Sequence, residues 1–97
     1  MSNRIEGSVS SIDATGKLIT DIATDQLAGV PRDETVSIRF AGHETFGLYP
    51  VPHEQPETTM VASLGSSGFL EIEIVGMDLA GMLGIATGSS VEVTWDE

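Results

Sequence analysis

Apolar and polar residues alternate in short runs along most of this chain, the period-two pattern of half-buried β-strands. The clearest run is Phe69–Val75, where Leu70, Ile72 and Ile74 point one way and Glu71 and Glu73 the other, as a solvated strand face would. A small-residue turn, Gly65-Ser66-Ser67-Gly68, leads into it and leaves backbone N–H groups and two hydroxyls open. The first strand predicted is 4–13, with Ile5, Gly7 and Val9 on one side. Its phase shifts at Ser10-Ser11, so that Ile12 falls on the other face, and a bulge accounts for that. Asp13-Ala14-Thr15-Gly16 is a turn, and 17–23 returns with Leu18 and Ile22 inward against Ile19 and Asp21.

Further along, Thr24–Gly29 suits one helical turn capped by Thr24 or Asp25 and stopped by Gly29. Thr35–Phe40 is a strand with Val36, Ile38 and Phe40 inward; Ala41–Glu44 turns the chain, and Thr45–Tyr49 continues through Phe46 and Leu48. The segment 50–58 holds Pro50, Pro52 and Pro56 and cannot lie inside a sheet, so it is expected as an exposed loop. Thr59–Leu64 is a strand of uncertain phase. Asp78 caps a helix of about two turns, in which Leu79, Met82 and Leu83 share a face and Gly84 is the stop. A last strand, Val91–Trp95, has Val91, Val93 and Trp95 inward. Met60, Met77 and Met82 are expected in the core with Trp95. These elements predict an all-β fold: one domain spanning 1–97, a small antiparallel Greek-key-like barrel of about seven strands with one short helix near the C-terminus. Pairing of Ile5–Ile12 with Val91–Trp95 would close it.

Composition adds two constraints. Cysteine is absent, which removes disulfides and thiolate metal sites. Charge is the more unusual total, with four basic against fifteen acidic residues and a net charge of −11. Arg4, Lys17, Arg32 and Arg39 all precede residue 41, while 41–97 holds nine acids and no Lys or Arg. Such a field repels phosphate backbones and anionic lipid, which argues against nucleic acid and membrane as partners and suits a cationic partner or a high-salt cytoplasm. No run reaches the roughly 18 apolar residues of a membrane helix, and Met1–Glu6 has no signal-peptide core, so the expected location is cytoplasmic.

Three stretches carry a family resemblance. Asp13-Ala14-Thr15-Gly16-Lys17-Leu18-Ile19-Thr20-Asp21-Ile22 resembles an Asp-x-Phe-Gly-Asn-Leu-x-Thr-Asn-Ile pattern. Ser66-Ser67-Gly68-Phe69-Leu70-Glu71-Ile72 resembles a Ser-Ser/Arg-Gly-Tyr-Leu-Glu-Ile strand. The stretch from Ala80 through Leu83-Gly84-Ile85 and Gly88-Ser89 to Val91 is similar to a closing Ala-x-x-Leu-Gly-Leu-x-x-Gly-Asp-x-Val. Together they resemble the C-terminal domain of the S-adenosyl-L-methionine hydroxide adenosyltransferases, the family that includes the fluorinating and chlorinating enzymes. The resemblance implies a β-barrel without the α/β domain that carries most of the activating residues, hence a chain that is no enzyme on its own. It implies S-adenosyl-L-methionine or adenosine as the ligand class, and a homotrimer or a separate catalytic chain as the partner. It places Asp13 against a ligand amino group, Ser66 and Ser67 at the amino-acid end, and Tyr49 over the adenine. Lys17 stands where the family's Asn reads the adenine edge; Thr15 replaces an aromatic residue and Val75 a polar one.

Each of these residues also has a plainer reading. Asp13 forms turns, Ser66 and Ser67 suit a hairpin, and Glu71 with Glu73 suits a wetted strand. His43-Glu44 and His53-Glu54 lack the three or four converging ligands a metal needs, and no Gly-x-Ser-x-Gly nucleophile elbow occurs. No catalytic residue and no metal ligand is therefore assigned. The expected function is a non-catalytic barrel that binds a nucleoside-like ligand or completes a site on another chain. The alternative is a structural or oligomerisation protein with a vestigial site.

Overall fold

The computed structural model describes residues 2–50 and 54–96. Seven strands form one antiparallel sheet rolled into a nearly closed barrel: β1 (Ser2–Ile12), β2 (Leu18–Ala23), β3 (Val36–Phe40), β4 (His43–Phe46), β5 (Met60–Leu64), β6 (Phe69–Ile74) and β7 (Ser90–Asp96), in the order β4-β3-β7-β1-β2-β6-β5. A 3-10 turn, Thr24–Leu27, follows β2, and a single α-helix, α1 (Leu79–Leu83), precedes β7. Among the described residues no helix is long and apolar enough to cross a membrane.

The inward positions build one core in which Leu18, Ile38, Ile72 and Val93 are fully buried. Trp95 packs against that core with part of its surface exposed. The bulge in β1 is present: Val9 faces Thr20, but Ser11 faces Ile19. It lets the one long strand serve two neighbours, β7 along Ser2–Ser8 and β2 from Val9 onward. The β2–β6 ladder is interrupted between Ile19 and Ala23. There the buried Thr20 hydroxyl donates to the Leu70 carbonyl at 2.8 Å and accepts from the Ile22 N–H at 3.2 Å, which satisfies groups the ladder leaves open.

The first and last strands do pair, but in the middle of the sheet, so they are not the closure. Closure lies between β4 and β5. The Tyr49 N–H donates to Ala62 at 3.0 Å and the Leu64 N–H donates to Tyr49 at 2.9 Å, a short parallel bridge along β5. The Thr45 hydroxyl adds a bond to the Met60 carbonyl at 3.2 Å.

Several side-chain expectations are corrected. Ala41 (φ 48°) and Gly42 (φ 84°) form a two-residue turn with both central residues left-handed, so pairing resumes at His43. Thr45 then opposes Ile38 and is buried, while Phe46 opposes Ser37 and is 52% exposed. The helix is five residues, not two turns; it buries Leu79 and Ala80 and leaves Met82 exposed. Met77, just before it, is also exposed, so neither methionine is in the core. The Thr24–Leu27 turn is preceded by an extended Ala23, whose N–H donates to Gln26 Oε1 at 2.9 Å, so neither Thr24 nor Asp25 is its cap. Of the loop 50–58, Pro50, Glu54 and Pro56–Thr58 are exposed, and 51–53 lie outside the described residues.

Candidate functional site

The turn between β1 and β2 is organised by one carboxylate. Asp13 Oδ1 accepts from the Thr15 N–H at 2.9 Å, the Thr15 hydroxyl at 2.7 Å and the Lys17 N–H at 3.0 Å. The Thr15 hydroxyl, ahead of the backbone bonds and the nearby Lys17 charge, holds the Asp13 pKa below the ordinary carboxylate value despite partial burial. Gly16 is indispensable to the packing of this turn. It sits at φ 87°, and a Cβ there would overlap Asp78, the residue that caps α1. Asp78 Oδ1 accepts from the Gly81 N–H at 2.8 Å, and the Ala80 N–H donates to the Gly16 carbonyl at 3.1 Å. The helix start and the turn therefore form one rigid unit.

The second component is the β5–β6 hairpin. Glu71 is 4% exposed, which overturns the reading of a solvated Glu71/Glu73 face. Its carboxylate folds back under the hairpin: Oε2 accepts from the Ser67 hydroxyl at 2.6 Å and the Ser67 N–H at 3.2 Å. Gly65 makes room, since a Cβ there would run into that carboxylate. The other oxygen, Oε1, lies 3.3 Å from Lys17 Nζ, and Nζ lies 3.3 Å from Glu73 Oε2. Burial works against the Lys17 charge, but the Glu71 and Glu73 carboxylates outweigh it and raise its pKa. Lys17 is thus held protonated, and Glu71 carries a cation on one oxygen and a hydroxyl on the other. This arrangement both donates and accepts hydrogen bonds.

Beside this network a groove of about 470 Å³ opens, lined by Thr15, Lys17, Glu73, Ile74, Gly76, Met77 and Asp78. Of the five residues singled out from the sequence, Lys17 alone is in its lining. Ser67 joins Lys17 through Glu71, Asp13 shapes the turn from below, and Ser66 is exposed at the hairpin tip. Tyr49 bridges to Ser63, whose ladder partner is Glu71, so Tyr49 belongs to the same cross-strand row. Glu71, Glu73, Met77 and Asp78 were not assigned to a site from the sequence. The usable signal for Glu71 was a glycine-bounded turn, Gly65–Gly68, ending three residues before an acid within the base-free run 41–97. His43 lies on β4 with its ring 6.0 Å from that of Phe40, and His53 lies outside the described residues. Among the described residues no group of three or more His, Asp or Glu is placed to hold a metal.

The model of the SAM hydroxide adenosyltransferase C-terminal domain matches residues 7–92. Among solved structures the chain is similar to an uncharacterized conserved protein from Thermotoga maritima, with a TM-score of 0.74 and 26% identity over 93% of this chain and 35% of that one. It is also similar to a conserved hypothetical protein from Thermus thermophilus, with a TM-score of 0.68 and 26% identity over 91% of this chain and 34% of that one. The chain thus spans about a third of the length of both. No curated protein matches it. The family match covers nearly every strand described above, together with the turn, hairpin and helix that frame the groove, and so the chain belongs to the SAM hydroxide adenosyltransferase C-terminal domain family.

Proposed function

We propose that this chain acts as a non-catalytic barrel module whose groove takes a nucleoside or S-adenosyl-L-methionine-like ligand, with a separate catalytic chain or further copies of the barrel in a trimer supplying the opposite wall. One observation carries this reading. Lys17, which stands in place of the Asn that reads the adenine edge in the family, lines an open groove whose volume falls in the range of small-ligand sites. The rigid contact between Gly16 and the start of α1 supports it further, because a preformed wall lowers the ordering cost of binding.

A second reading, a structural module with a vestigial site, is favoured by Glu71. That side chain already engages Ser67 and Lys17, two of the residues the resemblance assigns to the ligand. Calorimetric titration with S-adenosyl-L-methionine, adenosine and guanosine separates the two. The binding module gives saturable heat with a Kd of about 100 μM or below for at least one of them, equivalent to about 5.5 kcal/mol. Silence for all three at millimolar concentration would leave the structural module.

A further inference from the structure

We propose that the groove selects a nucleobase bearing a carbonyl next to ring N–H donors, guanine before adenine, and the free nucleoside before its phosphate; this rests on the ligand-binding reading above. The groove offers a donor beside an acceptor. Lys17 Nζ and Glu73 Oε2 are 3.3 Å apart, and both residues line it. An ammonium has three N–H donors and accepts nothing. Two of the three are directed to Glu71 and Glu73, so the third serves a ligand acceptor. A carboxylate has about four acceptor positions, enough for Glu73 to take ligand donors in addition to its bonds within the protein.

A guanine edge matches this pair in full. Its O6 accepts from Lys17, while N1–H and the N2 amino group donate to the two oxygens of Glu73, a parallel charge-assisted pair. Adenine carries an amino donor where guanine has O6. It satisfies two of the three bonds, its amino group donating to Glu73 while the adjacent ring nitrogen accepts from Lys17, and it has no second donor for the other Glu73 oxygen. Ile74 and the 40%-exposed Met77 supply the apolar wall for the base plane, and a thioether packs well on an aromatic ring. Charge sets the second preference. Glu71 and Glu73 flank Lys17, the one cation among the described residues lining the groove, and Asp78 lines it too, in a chain of net charge −11, a field that repels phosphate. The donor is placed by its two carboxylate neighbours, Glu71 and Glu73, each 3.3 Å from Lys17 Nζ.

The test is calorimetric titration of the whole chain with guanosine, inosine, adenosine and guanosine 5′-monophosphate. Guanosine is expected to bind about tenfold or more tightly than adenosine, on the strength of one further hydrogen bond to a charged group. Inosine, which lacks the N2 amino group and keeps two of the three bonds, is expected near the level of adenosine, and the monophosphate binds more weakly than guanosine. Glu73→Gln, with a single acceptor oxygen and Glu71 still holding Lys17, is expected to remove most of the guanosine advantage while adenosine, which needs one acceptor oxygen there, keeps its affinity and reports that the chain is folded. Adenosine binding as tightly as guanosine would overturn the selectivity while leaving the ligand-binding reading intact. Monophosphate binding as tightly as guanosine would overturn the charge argument, and absence of binding by every nucleoside would overturn both readings.

Discussion

At the scale of single residues, the network around Glu71 explains choices that are otherwise unconnected. A buried carboxylate is tolerable only when it is paired and hydrogen-bonded, and here Ser67 and Lys17 supply those partners. Gly65 is part of the same arrangement, because any side chain there displaces the carboxylate. Gly65→Ala should therefore cost about 1–3 kcal/mol in urea unfolding, the range for leaving a buried polar group without its partners. An unchanged midpoint would show that the carboxylate has room to leave. The turn carboxylate Asp13 makes a pH prediction. Its folded pKa is depressed, so its contribution is present above the ordinary carboxylate range and is lost as pH falls through the folded value. Melting temperatures of the wild type and Asp13→Asn, measured from pH 6 down to pH 3, should differ most at the upper end and converge on acidification. A constant gap would contradict the assignment.

At the scale of elements, α1 depends on its caps because five residues cannot sustain a helix by propensity. Asp78 accepts from the Gly81 N–H and Gly84 ends the helix at φ 67°. Asp78→Ala should cost about 1 kcal/mol by denaturant unfolding. Gly16→Ala should cost more, since it adds a Cβ in the left-handed region and strikes the same cap. The strands were legible because alternation directly encodes a half-buried sheet: β3, β6 and β7 keep the inward residues read from the sequence. The helix caps were legible for a similar local reason. What alternation does not encode is register. Phe46 looks apolar enough to be inside, but the tight Ala41-Gly42 turn sets the pairing one position away and puts Thr45 there instead. Glu71 illustrates the same limit on the site. Its outward direction was read correctly, but the outer face was not exposed, since Val61 and Ser63 beside it are also buried. Lys17 was found through the family pattern, and its two carboxylate partners only through the fold.

At the scale of the whole molecule, the sheet brings turn 13–17, the β5–β6 hairpin and the start of α1 to one region although they are far apart in sequence. Closure by the Tyr49 backbone along β5 places that tyrosine in the row containing Ser63 and Glu71. The barrel thus joins Asp13, Lys17 and Ser67 through one hydrogen-bonded network with Glu71, of which Lys17 reaches the groove. The central claim is that this region receives a ligand. Its most direct measurement is amide chemical-shift mapping of the isotope-labelled chain during titration with guanosine and adenosine. Saturable shifts confined to Thr15–Lys17, Glu73–Met77 and the first turn of α1 are expected. Absence of shifts at millimolar nucleoside, or shifts centred on another face of the barrel, would contradict it.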